Sequence, residues 1–331
     1  MGERHARAVA ACPDADLLAV CDPAPSALDR GKALGARHVT SDIAHLLDLD
    51  LDAVVIASPS WLHAAHVRAA AAAGVAIFVE KPVALTAEDT ELALRAVVTN
   101  GVTFQVGFQR RWDPRYQAMR TAIDAGEIGD PVLIRGHGRD PGPSNRRSWG
   151  LDRNGGIFLN CAIHDYDMVR FVSGSEITAV SATGAALVHQ ALRTVGDMDT
   201  CTSVLWLSDS AMALTEWSRF TPCGYDVGVE VIGTSGTVTL REITASRSEV
   251  AVGRSHGRVP QLFDVFGDAF TAAIEDFLAA VRHRRPAEPG VEDARRALHV
   301  ALTARASSSS DGARLDVPCL PPLECRQRPV A

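Results

Sequence analysis

The sequence predicts an α/β protein: an N-terminal Rossmann-type dinucleotide-binding domain, then a C-terminal α+β domain with a large open, mainly antiparallel sheet. Over roughly the first third of the chain, short apolar segments alternate with helical segments, which is typical of parallel βαβ units. Strand-like segments then follow one another from 177 to 255, with turns between them. The 331 residues exceed the size of one core, and we place the domains at 1–118 and 119–331.

The first domain is expected to alternate helices and strands. Helices are predicted at 3–12, 25–35, 42–48, 61–73 and 86–99, and strands at 16–21, 53–57, 75–79 and 103–107. Gly35 and Gly74 are suitable C-terminal caps for two of these helices. Thr86 is a suitable N-cap for the last helix. The segment 75–79 is continuously apolar, which predicts a buried parallel strand.

The second domain has a different pattern. A strand is predicted at 131–138, a helix within 155–172, several strands between 177 and 255, and helices at 265–282 and 290–306. The residues Gly233-Thr234-Ser235-Gly236 predict a hairpin turn between two of the strands. This pattern indicates an antiparallel sheet with helices on one face.

Composition excludes several classes of protein. The net charge of −7 and the pI near 5.9 do not favour binding to nucleic acid or to an anionic membrane. No apolar run reaches the roughly 18 residues that a membrane span needs. The seven cysteines are odd in number and no two have CxxC spacing. We therefore expect reduced thiols, no metal site and a cytoplasmic location.

The most informative segment is Glu80-Lys81-Pro82, which follows the strand 75–79. Open α/β sheets bind ligands at the carboxyl ends of their strands. The ammonium of Lys81 could hold a substrate hydroxyl or help to deprotonate it. A strand-end lysine that reaches into solvent explains the same residues, so both interpretations stay open at this point.

Asp22 follows another apolar segment, where a carboxylate commonly binds the adenosine ribose of NAD and repels the extra phosphate of NADP. It is equally suited to begin the next helix before Pro23. The glycine motif and the strand that should precede Asp22 are missing, although Gly2 could be the third glycine of that motif. We expect this loss to open the centre of the sheet. Either the recorded start is internal, which we favour, or the truncation is real and the cofactor site is damaged.

A second group of candidate residues lies in the segment from Gly155 to Asp167. Asn160 and His164 are four residues apart, so on a helix they share a face. Histidine titrates near neutral pH, and His164 could accept a proton from an alcohol. A histidine packed against the sheet is the structural alternative.

Two further strand ends carry polar residues. Arg110 and Arg111 could bind a polyhydroxy substrate or order acidic loops, and an interdomain salt bridge is the alternative for Arg111. Ser58-Pro59 ends a strand before the helix that carries His63, a place where backbone donors often meet a cofactor.

Together these segments resemble the Gfo/Idh/MocA family of nicotinamide-dependent oxidoreductases over nearly the whole chain. The resemblance rests on Asp22, Ser58-Pro59 with His63, Glu80-Lys81-Pro82, Gly107-Phe108 with Arg110-Arg111, Gly155-Gly156 through His164 and Asp167, and Gly224-Tyr225-Asp226. Within the family the chain looks most like the inositol 2-dehydrogenases, on residues 107–113, 139–141 and 162–167.

The resemblance implies an NAD-dependent dehydrogenase that acts on CH–OH groups of a cyclitol or sugar. Lys81 and His164 would be the catalytic pair, with His164 as general base. Asn160 occupies the place of an aspartate that supports this pair in the family. An amide cannot take a proton or stabilise a positive neighbour as a carboxylate does.

The resemblance also implies binding residues. Arg110, Asp167 and Tyr225 would contact the substrate. The cofactor-binding residues would be Gly2, Asp22, Ser58, Pro59, His63, Glu80, Lys81 and Pro82.

Two other functions stay open. A non-catalytic sensor of the same fold could bind a nucleotide or sugar, which Asn160 and the missing glycine motif favour. A dehydrogenase of a keto-sugar or an amino-cyclitol in a biosynthetic pathway would use the same residues. The expected partner is a small polyol or sugar, with no nucleic acid and no membrane. The open sheet face is expected to be buried in a homodimer or homotetramer.

Overall fold

The computed structural model describes residues 1–142, 150–221, 224–240 and 261–323. The chain divides into two compact units, which are described separately. One unit comprises Met1–Phe108, Phe270–Arg295 and the segment from Pro321, and the other comprises Gln109–Ala269 and Arg296–Leu320.

This division differs from the single boundary near residue 118 that the sequence suggests. The segment Phe270–Arg295 belongs to the first unit because it packs against β5. The side-chain amide of Gln105 is fully buried and donates to the carbonyl oxygen of Ala273 at 2.9 Å. The backbone N–H of Val106 donates to the carbonyl oxygen of Pro289 at 2.9 Å. These contacts join residues far apart in sequence, where local patterns give no signal.

The first unit alternates helices and strands as predicted, with one further strand at His38–Thr40 that the sequence pattern does not predict. Its elements are α1 (Gly2–Ala11), β1 (Ala19–Cys21), α2 (Pro25–Ala33), β2 (His38–Thr40), α3 (Ile43–Leu47), β3 (Ala53–Ile56), α4 (His63–Ala72), β4 (Ala76–Val79), α5 (Ala87–Asn100) and β5 (Phe104–Val106). The predicted caps are present: the side chain of Thr86 accepts a hydrogen bond from Asp89 N at the start of α5. Gly74, at φ 75°, follows α4 in the left-handed conformation that favours glycine.

The parallel strands form two separate sheets. Strands β3, β4 and β5 form one sheet, and β1 and β2 form the other. A doubly wound sheet places its first strand between the positions of β1 and β3. Within residues 1–142 no backbone hydrogen bond joins β1 to β3, so the two parallel sheets are separate.

Strand β4 is the core of the three-stranded sheet. It pairs on both sides, and all four of its residues are buried. The Phe78 ring lies 5.8 Å from the Phe277 ring between centroids. A strand buried on both faces needs the continuous apolar sequence that predicts it.

The second unit is built around a seven-stranded sheet. Its strands and helices are α6 (Pro114–Asp124), β6 (Pro131–Asp140), α7 (Leu151–Asn154), a π-helix (Phe158–Ala162), α8 (Ile163–Ser173), β7 (Ile177–Ala185), β8 (Thr200–Leu207), β9 (Met212–Arg219), β10 (Asp226–Gly233) and β11 (Thr237–Leu240). The long helices α9 (Leu262–Arg282) and α10 (Val291–Ser308) follow in the chain, and β12 (Leu315–Asp316) completes the sheet.

The strand order is β11-β10-β6-β9-β8-β7-β12, and every neighbouring pair is antiparallel except β6 with β9. The prediction of a large, mainly antiparallel sheet is therefore confirmed. The hairpin turn is also confirmed, since Gly233 N donates to the carbonyl oxygen of Gly236 at 2.8 Å. The part of the strand prediction that covers 241–255 lies outside the described residues.

The two faces of this sheet differ in burial. On one face Ile134, Leu205 and Ala213 are fully buried, and the hydroxyl groups of Tyr166 on α8 and Ser203 on β8 are 2.9 Å apart. On the other face Leu214 is 42% exposed. The helices thus cover one face, as the alternating pattern predicts.

We expect Gly138→Ala to destabilise the second unit. A Cβ at Gly138 would lie 2.2 Å from Cε2 of Trp217, in the buried face of β6. Overpacking of this kind costs about 1–3 kcal/mol. Urea unfolding followed by tryptophan fluorescence measures the change in the free energy of unfolding.

Gly136→Ala is the matched control in the same strand. A Cβ there would meet Cγ2 of Thr215 at 3.5 Å, an ordinary contact. This change should be neutral, or stabilising by about 0.5–1 kcal/mol, because alanine loses less backbone entropy on folding. Equal effects of the two substitutions would contradict the packing described at Trp217.

Candidate functional site

Lys81 follows β4 directly, at the carboxyl edge of the three-stranded sheet. Just before it, Glu80 N donates to the carbonyl oxygen of Ile56 at 2.9 Å. On the other side of β4, Gly107 N donates to the carbonyl oxygen of Val79 at 2.8 Å. Lys81 itself is partly exposed. The fully paired strand therefore places one partly exposed lysine at the edge where open α/β sheets bind ligands.

Lysine is rare in this chain, which contains 31 arginines and only two lysines, Lys32 and Lys81. The arginine guanidinium stays charged in proteins, whereas lysine can exchange its proton when its surroundings lower its pKa. A lysine at position 81 of an arginine-rich chain therefore fits a role in proton transfer better than a role as a surface cation.

The carboxylate of Glu80 points into the interior of the first unit. Glu80 is 7% exposed, and its Oε1 lies 2.8 Å from Nε2 of His5, a buried residue of α1. Burial raises the pKa of Glu80, but the hydrogen bond and charge of His5, with the charge of Lys81, lower it below its usual value on balance. The sequence suggested cofactor contact for Glu80. The structure shows an internal partner for this side chain.

His63 is buried at the start of α4 and lies between two backbone carbonyl oxygens. Its Nε2 is 2.7 Å from the carbonyl oxygen of Ser58, and its Nδ1 is 2.8 Å from that of Pro82. The segments after β3 and β4 are thus brought together, and the hydroxyl of Ser58 lies 3.0 Å from Nδ1 of His66. Both nitrogens of His63 contact backbone oxygens, so it connects the predicted cofactor segments from inside.

Asp22, which is predicted from the sequence to bind the NAD ribose, directly follows β1. Asp22 N donates to the carbonyl oxygen of Thr40, and the side-chain Oδ1 accepts from Ala24 N at 2.8 Å. A carboxylate at the end of a parallel strand fits the hydroxyls of the NAD ribose. Gly2 begins α1, where a Cβ would meet Ala57 only at an ordinary 3.9 Å. Asp22 therefore fits NAD, whereas the space around Gly2 does not require a glycine.

His164 and Asn160 lie in the second unit, on either side of a change in helix type. Asn160 belongs to the π-helix Phe158–Ala162, and His164 is in the first turn of α8. His164 is 7% exposed, and Asn160 is partly exposed. The spacing argument assumed one regular α-helix, which does not hold at Asn160. A π-turn inside an α-helix is rare and is frequent at functional sites.

Arg110 was expected to contact the substrate, but the structure places it in the core of the second unit. It is 2% exposed, and its Nη1 lies 2.5 Å from Oδ1 of Asp165. Tyr225 is 4% exposed, and its ring meets the Phe266 ring edge-on at 6.1 Å. Burial raises the pKa of Tyr225 above its usual value. Arg110 and Tyr225 are thus both buried, and their contact with a substrate stays a prediction.

Asp167 was also expected to contact the substrate and is fully buried in α8 instead. Its two oxygens accept from Nη2 and Nε of Arg111 at 2.6 and 3.0 Å, a bidentate pair. The salt bridge considered for Arg111 is therefore present, inside one unit. The carboxylate is compensated by this pair, and its contact with a substrate hydroxyl stays a prediction.

Sequence reasoning missed three buried polar groups near these residues. His5 lies in the helix predicted at 3–12 and was given no role there, and Asp165 was noted only as part of the resemblance. Arg219 is 2% exposed and lies 2.8 Å from Asp197. A histidine on the apolar side of α1 was the one available signal, since Ala8 on the same helix is also buried. The partners of all three lie far away in sequence.

Neither a membrane-spanning helix nor a metal-ligand cluster is found in the part of the chain that the structure describes. Its helices include none that is both long and apolar enough to cross a membrane. Among the same residues, no cluster of three or more His, Cys, Asp or Glu side chains could hold a metal ion.

Comparison with known proteins agrees with this arrangement. Residues 1–108 match the oxidoreductase family with an NAD-binding Rossmann fold, and residues 116–239 match the GFO/IDH/MocA C-terminal domain. The chain is 37% identical over 306 residues to the inositol 2-dehydrogenase of Rhizobium meliloti (strain 1021), covering 91% of this chain and 92% of that protein. It is 35% identical over 288 residues to the scyllo-inositol 2-dehydrogenase (NAD(+)) of Bacillus subtilis (strain 168), covering 86% and 84%.

Solved structures show the same fold. The myo-inositol 2-dehydrogenase of Lactobacillus plantarum aligns with a TM-score of 0.87 at 27% identity over 96% of both chains. The scyllo-inositol dehydrogenase of Lactobacillus casei with bound NAD(H) and scyllo-inositol aligns with a TM-score of 0.83 at 29% identity, also over 96% of both chains. On its two matched domains and its relatives, the chain belongs to the Gfo/Idh/MocA family of oxidoreductases and carries an NAD-binding Rossmann domain.

Proposed function

We propose that this chain is an NAD-dependent dehydrogenase that oxidises a secondary alcohol of a cyclitol, with an inositol as the first substrate to test. The observation that supports it most is the similarity to an inositol 2-dehydrogenase over about nine-tenths of both chains. The partly exposed Lys81 at the edge of a parallel sheet supports the same chemistry. A ring sugar or an amino-cyclitol is the alternative substrate of the same reaction.

The residues of the chain would divide the reaction as follows. The ammonium of Lys81 holds the oxygen of the reacting hydroxyl and favours its deprotonation. His164 takes the proton as general base. Asn160 can donate or accept a hydrogen bond, but it cannot take the proton or compensate an imidazolium charge. NAD supplies the hydride acceptor when it is bound.

A sensor that binds NAD or a sugar without turnover is the second candidate. It is favoured by Asn160, which replaces the carboxylate expected beside the general base. An assay of NADH formation with myo-inositol, scyllo-inositol and ring sugars separates the two functions. Binding without turnover across this panel would support the sensor.

Replacement of either catalytic residue should remove most activity. We expect His164→Ala to lower kcat about 10²–10⁴-fold, the usual contribution of a general base. Lys81→Ala should cost as much or more, because it also positions the substrate. Both should lower kcat more than they raise KM, since each acts mainly in the transition state.

The exposed Lys32 provides the matched control, and Lys32→Ala should retain wild-type steady-state kinetics. A Lys81→Ala variant that keeps wild-type kcat with NAD and an inositol would remove Lys81 from the mechanism. A large loss in the control would show that the measured losses are not specific to the site.

The substitution Asn160→Asp tests whether this position is coupled to the base. A carboxylate near His164 favours the imidazolium and should raise the pKa of that histidine, typically by about 1 unit or more. Because the base must be neutral to act, the ascending limb of kcat/KM should move to higher pH. The measurement is the pH-rate profile of both forms with a saturating cofactor. An unmoved limb would show that position 160 does not act on His164.

We also propose that the open face of the large sheet is the contact between two copies of the chain. Exposed apolar side chains, Leu214 at 42% and Met212 at 37%, lie on this face. Charges of both signs are paired across the neighbouring strands β6 and β10, as in Arg135 with Glu230 at 3.4 Å. A face with both signs and an apolar centre can be complementary to itself, as a twofold interface requires. A homodimer is therefore the simplest assembly, and a homotetramer would need a second interface.

The substitution Leu214→Arg should lower the mass of the particle in solution to that of one chain. A buried arginine at the centre of an apolar contact would carry an unpaired charge. Size-exclusion chromatography with light scattering measures the mass directly. Leu187→Arg is the control, since Leu187 is 66% exposed and lies in the segment after β7. A wild-type protein that is monomeric at micromolar concentration would contradict the proposal.

A cytoplasmic location is part of the proposal. It is supported by the five cysteines among the described residues, which are all free thiols.

A further inference from the structure

The residues immediately before and after Lys81 each contact a buried histidine. On its N-terminal side, the carboxylate of Glu80 contacts His5 of α1. On its C-terminal side, the carbonyl oxygen of Pro82 contacts His63 of α4. Both histidines are 1% exposed. Two helices thus reach the residues immediately before and after the lysine from inside the first unit.

The contact with Glu80 is tightly enclosed. The ring of His5 lies 5.3 Å from the ring of Phe78 and 6.2 Å from that of Phe270. Within the described residues, Nδ1 of His5 has no hydrogen-bond partner, so Nε2 makes the polar contact of this side chain. The other carboxylate oxygen of Glu80 would lie 3.2 Å from a Cβ at Gly107, so glycine leaves room for it there. The carboxylate has little freedom to move away from His5.

The contact with Pro82 depends on which nitrogen of His63 carries a proton. Burial lowers the pKa of His63, so the neutral ring is favoured and donates one N–H. Two carbonyl oxygens, those of Ser58 and Pro82, are within 2.8 Å of the ring. An N–H at Nδ1 donates to the carbonyl oxygen of Pro82, and an N–H at Nε2 donates to that of Ser58. An amide side chain can imitate one of these donors at a time.

We propose that His5 and His63 are positioning residues that fix the backbone on both sides of Lys81 and so hold its ammonium in place. The consequence for catalysis rests on the proposed dehydrogenase function. The positioning itself is a property of the folded chain and can be measured without turnover. The rival explanation is that the two histidines only fill space in the core.

Two matched pairs of variants separate positioning from packing. His5→Gln keeps an N–H donor near the place of Nε2, whereas His5→Leu fills the apolar space without a donor. His63→Asn keeps a donor near the place of Nδ1, which faces Pro82. His63→Gln keeps a donor near the place of Nε2, which faces Ser58. If the histidines only fill space, neither the presence nor the position of the N–H donor should decide which variant of a pair is closer to the wild type.

The low lysine content provides a direct signal from Lys81. Protein labelled with ¹³C-lysine gives two side-chain signals, and the Lys32→Arg background leaves one, that of Lys81. The shift and width of its ¹³Cε signal, followed over pH, report the surroundings and the pKa of the ammonium. Steady-state kinetics with NAD and an inositol, NAD titration calorimetry and urea unfolding are measured on the same variants.

We expect the Lys81 signal to move or broaden in His5→Leu and to return toward its wild-type position in His5→Gln. His63→Asn should resemble the wild type more closely than His63→Gln does. The variants that disturb the signal should lose about 10- to 100-fold in kcat, because small misplacements of a reacting group are costly. NAD affinity should change less than kcat.

Several outcomes would overturn the inference. They are an undisturbed Lys81 signal in His5→Leu, equal signals in His5→Leu and His5→Gln, or a His63→Gln variant closer to wild type than His63→Asn. If His5→Leu does not fold, the His63 pair decides alone by the same ordering. A wild type without turnover of any cyclitol or sugar would contradict the dehydrogenase function, while the ordering of the signals would still decide the positioning.

Discussion

The first unit depends on one buried carboxylate. A buried charge is costly unless a partner compensates it, and Glu80 lies at the end of a strand buried on both faces. Compensation comes from His5, so α1 must pack where its histidine reaches the end of β4. Phe270, from a distant part of the chain, packs against the same imidazole. One polar contact therefore fixes how a helix, a strand and a C-terminal segment of this unit come together.

In the second unit, buried ion pairs involve residues close to His164 in the sequence. The consecutive residues Arg110 and Arg111 pair with Asp165 and Asp167, which lie in the same turn of α8 as the histidine. Buried pairs of this kind contribute little net stability, yet loss of one partner leaves an uncompensated charge. Their effect is to favour the one orientation of α8 about its own axis in which both carboxylates stay paired. Arg110 and Asp167, which are predicted to contact the substrate, thus also form ion pairs close to the proposed base in sequence.

Local pattern was sufficient for the helices and most strands of the first unit and for the place of Lys81, because apolar runs and caps act over a few residues. It missed the short strand β2, which is not an apolar run. It was not sufficient for the partner of Glu80, since His5 is 75 residues away and its helix resembles a solvent-facing one. The parallel pairing of β6 with β9 was missed for the same reason, as strand partners follow from tertiary packing. For Arg110 local pattern left the role open, because arginine after a strand end suits a ligand and a buried aspartate equally well.

Because of the π-turn at Phe158–Ala162, the number of residues in this segment determines which side chains share a face with those of α8. A π-turn closes through i→i+5 bonds and so contains one residue more than an α-turn. Deletion of a single residue here would leave a continuous α-helix and rotate every earlier side chain by about 100° relative to α8. A different residue would then share a face with His164, even though each of the remaining residues is unchanged. Comparison or redesign of this helix must therefore keep the residue count through the turn before it considers whether position 160 is Asn or Asp.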